Sequence, residues 1–331
     1  MSKQKPLKVI SLFSGIGAFE QALTNLNIPF HLAAYCEIDK HASLAYSAVH
    51  GISEELNLGD ITKVDLSTLP TELDLLVFGS PCTSFSRAGK GDGAAKGSGT
   101  ASSLLWNAVD IIEHCRPRYV IWENVSDVLN KRHREYFDDY LETMKKFGYH
   151  NFYQVMVAKD YGIPQNRQRL FVVSCLDEIS FEFPTPIPLT TTALDYLDAE
   201  VEEKYYRENT LPLVDGVYHV RQATKKGYIE LKAPGICDLS YPNSKIRRGR
   251  VQGEGKIVPT LTASKQGIAF VDEKGRLREM TPLERWRLMG FHDEAYYRAF
   301  NAGVSENQLY KQAGNSIVVN ILEHLFQNLF V

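Results

Sequence analysis

Short apolar runs alternate with helix-like stretches through the first half of the chain. LKVISLF runs into glycines and is followed by AFEQALTNL at helical spacing; HLAAYCEI precedes DKHASLAYSAVHG, which Gly51 closes. LDLLVFGS, SLLWNAVDIIEHC, RYVIWENV, a helical stretch from Arg132 to Phe147, FYQVMVA and RLFVVSC continue the rhythm. Strands alternating with helices predict a mostly parallel, Rossmann-like α/β sheet with helices on both faces. Ligands on such sheets bind beyond the carboxyl ends of the strands, so residues there are the first candidates for chemistry.

The rhythm stops after Cys175. EFPTPIPLTTT is rich in Pro and Thr and reads as a linker. Residues from about 186 to 300 scatter Gly and Pro without a βαβ period, which predicts a smaller, irregular, β-rich domain. NSIVVNILEHLFQNLF reads as an apolar helix that packs back on the first domain. The expected organisation is a catalytic domain over 1–185, completed by the helix at about 310–331, with a second domain over 186–300. A length of 331 residues suits one large and one smaller domain. With 44% hydrophobic and 23% charged residues, a disordered chain is excluded. The five cysteines form no C-x-x-C pair, which argues against a disulfide framework or zinc ribbon. A reduced, cytoplasmic compartment and no metal are therefore expected. No 18-residue apolar run is present, so no spanning helix and no membrane partner are expected. The N-terminal apolar stretch reads as a first strand rather than a signal peptide.

Net charge is −3, which taken whole argues against nucleic acid, but the charge is uneven. Between Arg221 and Lys256 nine basic residues, among them Arg221, Lys245, Arg247, Arg248 and Arg250, face three acidic ones. A basic sector on an acidic chain can meet phosphates locally. Charge alone leaves an ordinary solvated loop region equally open.

Four places carry chemistry. The first is Phe13-Ser14-Gly15-Ile16-Gly17, after the first strand and before a helix, where glycines permit a tight turn and close approach of a ligand. Glu37, 20 residues past Gly17, can accept hydrogen bonds from both hydroxyls of a ribose. Asp60, in Gly59-Asp60-Ile61, can hold an adenine amino group. Together they describe an adenosine-containing cofactor. The third glycine of a dinucleotide fingerprint is replaced by Glu20. A pyrophosphate therefore fits less well than S-adenosylmethionine, and a nicotinamide dehydrogenase is disfavoured.

The second place is Gly79-Ser80-Pro81-Cys82, at a strand end and ahead of a Gly- and Ser-rich stretch over Ser84–Ser103. A thiol on a stiffened backbone beside a loop able to close suits a nucleophile; a buried, apolar Cys is the alternative. Cys36, Cys115 and Cys175 sit in apolar segments and are read as buried. The third place is Glu123-Asn124-Val125 after YVIW, where desolvation beside Trp122 can keep a carboxyl protonated near neutral pH. A surface helix-capping acid is the competing reading. The fourth is Gln165-x-Arg167-x-Arg169, whose alternate residues would share one face of a strand. Arginine offers fixed, permanently charged donors there; a solvated basic strand end is the plain alternative.

At these places the chain resembles the cytosine C5 DNA methyltransferases. The match runs in order through Phe13-x-Gly15-x-Gly17, Glu37, Asp60, Pro81-Cys82, Glu123-Asn124-Val125 and Gln165-x-Arg167-x-Arg169. It continues to Pro259-Thr260-Leu261-Thr262 and Gly314-Asn315-Ser316 and so spans nearly the whole chain. Departures are small: Ser11 stands where many members have Asp, and Ser80 where many have Pro.

The resemblance implies site-specific methylation of cytosine flipped out of double-stranded DNA. Cys82 would attack C6, Glu123 would bond N3 and the exocyclic amine, and Arg167 would face O2. Gln165 and Arg169 would belong to the same catalytic set. Phe13, Gly15, Gly17, Glu37, Asp60, Ile61, Pro81, Leu104 (or Leu105) and Asn315 would form the cofactor pocket. Ser84, Ser86, Arg87, Thr260 and the basic sector would meet DNA. A monomer is expected, in a restriction-modification or phage self-protection setting, with a cognate endonuclease as a possible companion. Two other readings compete. An RNA cytosine methyltransferase is disfavoured by the basic segment from Arg221 to Arg250, and a non-catalytic DNA-binding regulator by the intact Cys82, Glu123 and Arg167.

Overall fold

A computed structural model describes residues 5–81, 97–178, 180–264 and 267–331. The chain forms two compact units. The first comprises Met1–Met156, Gln168–Thr185 and Ile321–Val331; the second comprises Val157–Arg167 and Pro186–Asn320.

The first unit is a doubly covered sheet. Its strands are β1 (Leu7–Leu12), β2 (Phe30–Cys36), β3 (Leu75–Gly79), β4 (Tyr119–Asn124) and β5 (His150–Val157), with β7 (Gln168–Cys175) after a two-residue strand β6 (Gln165–Asn166). The helices are α1 (Ala18–Asn25), α2 (Lys40–His50), α3 (Leu105–Cys115) and α4 (Arg134–Lys146). The sheet order is β2-β1-β3-β4-β7-β5. β1 runs parallel to β2 and β3, and β3 parallel to β4, whereas β7 returns antiparallel to β4. The chain leaves β1 toward β2 on one side and comes back to β3 on the other. The carboxyl ends of β1 and β3 therefore flank the switch point where such folds take ligands. Because β7 is antiparallel, its beginning lies at that same edge, with Leu170 opposite Asn124.

Val9, Ile10 and Leu12 of β1 and the apolar residues of β3 and β4 are buried, as a sheet covered on both faces requires. Trp122 stacks with Phe78 at 6.1 Å and meets Tyr140 of α4 at 4.5 Å. The final helix α8 (Val319–Phe330) brings Phe326 to Phe19 of α1 and Phe330 edge-on to Tyr119. Asn25 donates to Glu323 beside them at 2.5 Å.

The second unit has short antiparallel sheets and several helices. One sheet is β11-β10-β9, from β9 (Leu213–Val214), β10 (Val217–Arg221) and β11 (Tyr228–Leu231). Another is β12-β14-β15-β8, from β8 (Tyr206–Arg207), β12 (Gly235–Asp238), β14 (Ile268–Val271) and β15 (Leu277–Glu279). The expectation of a β-rich region needs amending at its end, where α5 (Pro282–Arg287), α6 (Asp293–Asn301) and α7 (Glu306–Asn315) follow. The boundary also differs in two places from the sequence expectation. Residues 157–167 group with the second unit, where β6 pairs parallel with β13 (Val258–Pro259). Residues 310–320 group there too, so only Ile321–Val331 of the terminal segment belongs to the first unit.

Thr281 starts α5 with a capping box, accepting from Glu284 N while the Glu284 carboxylate accepts from Thr281 N. That carboxylate also accepts two bonds from Arg278, at 2.8 and 2.9 Å, and both side chains are buried. Removing one member of a buried ion pair strands the other charge. Arg278→Met is expected to lower stability by about 3–5 kcal/mol, read as a fall in the midpoint of urea unfolding; an unchanged midpoint would show that the pair is not needed.

Candidate active site

The turn after β1 folds as its glycines dictate. Phe13, Gly15 and Gly17 all take left-handed φ, at 52°, 57° and 78°. Ser14 N donates to Cys36 O at 3.1 Å, and the Ser14 hydroxyl donates to Ser11 O at 2.9 Å, tying the turn to the ends of β1 and β2. A Cβ at Gly17 would fall 2.1 Å from His50 Nε2, while one at Gly15 would meet nothing within 4 Å. Gly17 is thus required by packing, and Gly15 by conformation beside open space.

Glu37 leans onto this turn. One carboxylate oxygen accepts from Gly15 N at 2.9 Å and the other from Asp39 N at 2.8 Å. Burial pushes the Glu37 carboxyl above the ordinary glutamate range, and the two amides pull it back less strongly. Asn57, which the sequence reading passed over, fixes the Glu37 backbone from both sides. It accepts from Glu37 N at 3.0 Å and donates to Glu37 O at 2.9 Å. Next to Glu37, Ile38 is 71% exposed, an apolar side chain left in the open beside the carboxylate. Asp60 caps a short turn, accepting from Thr62 N at 3.0 Å and from the Thr62 hydroxyl at 2.8 Å. These bonds hold its carboxyl below the ordinary range. Ile61 is buried in the main core. Leu104 packs against the same core. Glu20, where a dinucleotide site would have glycine, is wholly buried, and burial raises its pKa.

The ends of β3 and β4 are locked to each other. The Ser80 hydroxyl accepts from Trp122 Nε1 and from Asn124 Nδ2, both at 3.0 Å, and Asn124 also donates to Ser80 O at 3.1 Å. The Ser102 hydroxyl donates to Pro81 O at 3.0 Å. Glu123 lies between Trp122 and Asn124 on the strand and so turns to the opposite face. There Arg169 Nε stands 3.0 Å from Glu123 Oε1, with both side chains mostly buried. Cys82, Ser84, Ser86 and Arg87 lie outside the described residues.

The three residues of Gln165-x-Arg167-x-Arg169 do not share one strand face. β6 pairs with β13 in the second unit, β7 pairs with β4 in the first, and Arg167 falls in the break. Gln165 is buried, donating to Leu288 O at 2.8 Å and accepting from Leu261 N at 3.0 Å. Arg167 is 3% exposed, and its guanidinium donates to the carbonyls of Leu261, Gly314 and Ser316 at 2.7–3.1 Å. Expected to face a substrate oxygen, Arg167 instead frames the second unit. The Thr260 hydroxyl donates to Asn166 O at 2.7 Å in the same frame, and Asn315 is exposed at the end of α7.

In the basic sector Arg221, Lys245 and Arg248 are exposed, and Arg247 is half-buried against Asp238 at 2.6 Å. Arg250 departs from the expected surface role. It is 1% exposed and donates to the carbonyls of Asp238, Ser240 and Tyr241. Among the described residues no helix is long and apolar enough to cross a membrane.

A glycine turn, a positioned carboxylate and a carboxylate–guanidinium pair lie at one sheet edge, where α/β enzymes of this class take their ligands. The chain belongs to the C-5 cytosine-specific DNA methylases, a family that matches it over residues 7–331, and is a DNA cytosine methyltransferase. It is 33% identical to Type II methyltransferase M2.ScrFI of Lactococcus lactis subsp. cremoris, covering 98% of this chain and 99% of that one. It is 30% identical to orphan methyltransferase M.SPBetaI of Bacillus phage SPbeta, covering 98% and 97%. The fold is similar to that of the Entamoeba histolytica methyltransferase EhMeth, with TM-score 0.68 at 21% identity over 99% of this chain and 100% of that one. S. pombe Dnmt2 methyltransferase gives TM-score 0.65 at 20% identity over 98% and 100%.

Ser80→Ala leaves the Trp122 indole N–H and one Asn124 bond without their buried acceptor. A loss of about 1–3 kcal/mol is expected, visible as a lower melting temperature. Unchanged melting would mean that the two strand ends are held by something else.

Proposed function

We propose that the protein methylates C5 of a cytosine flipped out of duplex DNA at a specific sequence, through covalent addition of Cys82. The Glu123–Arg169 pair, one strand away from the segment that leads into Pro81-Cys82, carries this reading. S-adenosylmethionine fits the first unit: Gly15 opens onto free space, Glu37 presents a positioned carboxylate and Ile38 an uncovered apolar face. Glu37 would hold the ribose hydroxyls, Ile38 would lie against the adenine, and Asp60 with the Ile61 backbone would meet its edge. When bound, this cofactor supplies an electrophilic methyl group.

C5 of cytosine is a weak nucleophile. The Cys82 thiolate forms a bond to C6, the C5–C6 double bond opens, and negative charge develops over N3 and O2. Glu123 would hydrogen-bond N3 and the exocyclic amine. The cation for O2 is assigned to Arg169, because the Arg167 guanidinium is occupied by three carbonyls. C5 would then take up the methyl group that the bound cofactor supplies, with the methyl–sulfur bond breaking to leave neutral S-adenosylhomocysteine. Loss of the C5 proton to a base restores the double bond and expels the thiolate. C6 is sealed within stacked base pairs, so the base must leave the helix first. The exposed cations of the second unit would hold phosphates meanwhile. The bacterial and phage relatives, named type II and orphan methyltransferases, support a restriction-modification or phage self-protection role in the cytoplasm of the host cell.

Incubating a random-sequence duplex with S-adenosylmethionine, followed by bisulfite sequencing, should reveal methylcytosine within one defined motif; no methylation of any site would refute the proposal. Cys82→Ala should abolish turnover and leave cofactor affinity intact, and equal loss of both would remove Cys82 from the chemistry. Arg169→Ala should lower kcat by about 10²–10³-fold, while Glu123→Gln should be strongly impaired yet still bind DNA.

Cofactor affinity should also depend on pH. Ribose hydroxyls donate to the ionised Glu37 carboxylate, and burial raises the pH at which that carboxylate takes up a proton. By calorimetric titration, affinity is therefore expected to hold near neutrality and to fall as pH drops into the acid range, starting above the pH at which an ordinary glutamate takes up its proton. Glu37→Gln should bind weakly with a flat profile; an equally steep profile in that variant would assign the titration to another group.

A further inference from the structure

We propose that the loop 239–249 of the second unit is a rigid wedge that enters a groove of the DNA duplex, with Tyr241 and Ile246 reading base edges between its cations. The inference rests on the DNA-methylating reading above and names the side chains that would set sequence preference. Tyr241 is 73% exposed and Ile246 is 86% exposed, both on this one loop. Large apolar side chains held in water at a loop tip usually mark a partner surface. Lys245 and Arg248 are exposed on the same loop, and the exposed Arg221 reaches it through Asn243 at 3.3 Å. Apolar tips ringed by cations match a groove of bases walled by phosphates. The exposed pair Leu213 and Val214 on β9 differs in charge, since carboxylates Asp215 and Glu273 offset Lys232 and Lys274 around the same hollow.

The loop is also built to keep its shape. Buried Arg250 donates to the carbonyls of Asp238 and Ser240 and to that of Tyr241 itself. Arg247 forks onto Asp238 through Nε and Nη2, at 2.8 and 2.6 Å, with its guanidinium 5.4 Å from the Tyr241 ring centre. Ser240 donates to the same Asp238 carboxylate. Ser244 N closes a turn onto Tyr241 O at 2.9 Å. Ala223 N donates to Arg247 O, and Gly249 N donates to the Gln222 side chain at 3.1 Å. Tyr241 itself is held at φ 49°, a backbone cost that the surrounding bonds sustain. Ordering the loop before contact removes an entropy loss that binding would otherwise carry.

The test compares wild type with Tyr241→Ala, Ile246→Ala, Tyr241→Phe and Lys245→Ala on a random-sequence duplex, read by bisulfite sequencing. Thermal unfolding and S-adenosylmethionine titration serve as controls. Either alanine variant at 241 or 246 should relax the methylated motif at one or two positions. Each should lower kcat/KM on the wild-type motif by about 10–100-fold, with unchanged melting and cofactor affinity. Tyr241→Phe should retain the motif, and Lys245→Ala should weaken binding to all sequences alike and reduce its salt dependence. Identical motifs and KM in wild type and both alanine variants would overturn the wedge while leaving the methyltransferase reading intact. So would loss of melting temperature or cofactor affinity in step with activity. Absence of methylation by wild type would instead refute the function itself.

Discussion

The Ser80 hydroxyl accepts hydrogen bonds from Trp122 and Asn124, and the rest of the site depends on what that oxygen fixes. Two buried donors, each costly to leave unmet, hold the end of β3 to the end of β4. β3 leads into Pro81-Cys82, and β4 carries Glu123 on its opposite face. The antiparallel return of β7 then delivers Arg169 to Glu123. Parallel pairing brings strand ends to one edge in any sheet of this kind; here a small set of buried polar contacts sets how those ends face one another.

The second unit uses arginine in another way. Arg167 and Arg250 are buried, and each guanidinium gathers three backbone carbonyls. A planar fork of five N–H donors suits carbonyls left over where irregular chain crosses itself. One such arginine joins residues 261, 314 and 316, and the other shapes the loop 239–249. These cations act as scaffolding, while Arg221, Lys245 and Arg248 keep their charge at the surface.

Much of this was legible in the sequence, for physical reasons that also mark where legibility ends. Buried parallel strands demand continuous apolar runs, so LKVISL, LLVFG and YVIWEN announce themselves together with the residues at their carboxyl ends. Left-handed backbone favours glycine, so the turn at Gly15 and Gly17 is visible too. The role of Asn57 was not legible, because an amide that braces Glu37 from 20 residues away carries no local signal. Ser80 looked like a neutral replacement, and its importance appears only beside Trp122 and Asn124. Arg167 and Arg169 are chemically identical in sequence; a strand break between them sends one to a carbonyl cluster and the other to Glu123. Arg250 likewise contributed to the basic tally, although burial withdraws it from any phosphate.

The account's central claim is that a thiol on the segment after β3 bonds covalently to cytosine at an edge furnished by Glu123 and Arg169. Replacing the target cytosine with 5-fluorocytosine removes the C5 proton whose loss would free the enzyme. Incubation of such a duplex with the protein and S-adenosylmethionine, then denaturing electrophoresis and peptide mass mapping, gives the most direct test. A one-to-one adduct resistant to denaturation, dependent on the cofactor and mapped to Cys82, is the predicted result. A protein that methylates ordinary duplex yet forms no adduct, or forms one at another residue, would contradict the account.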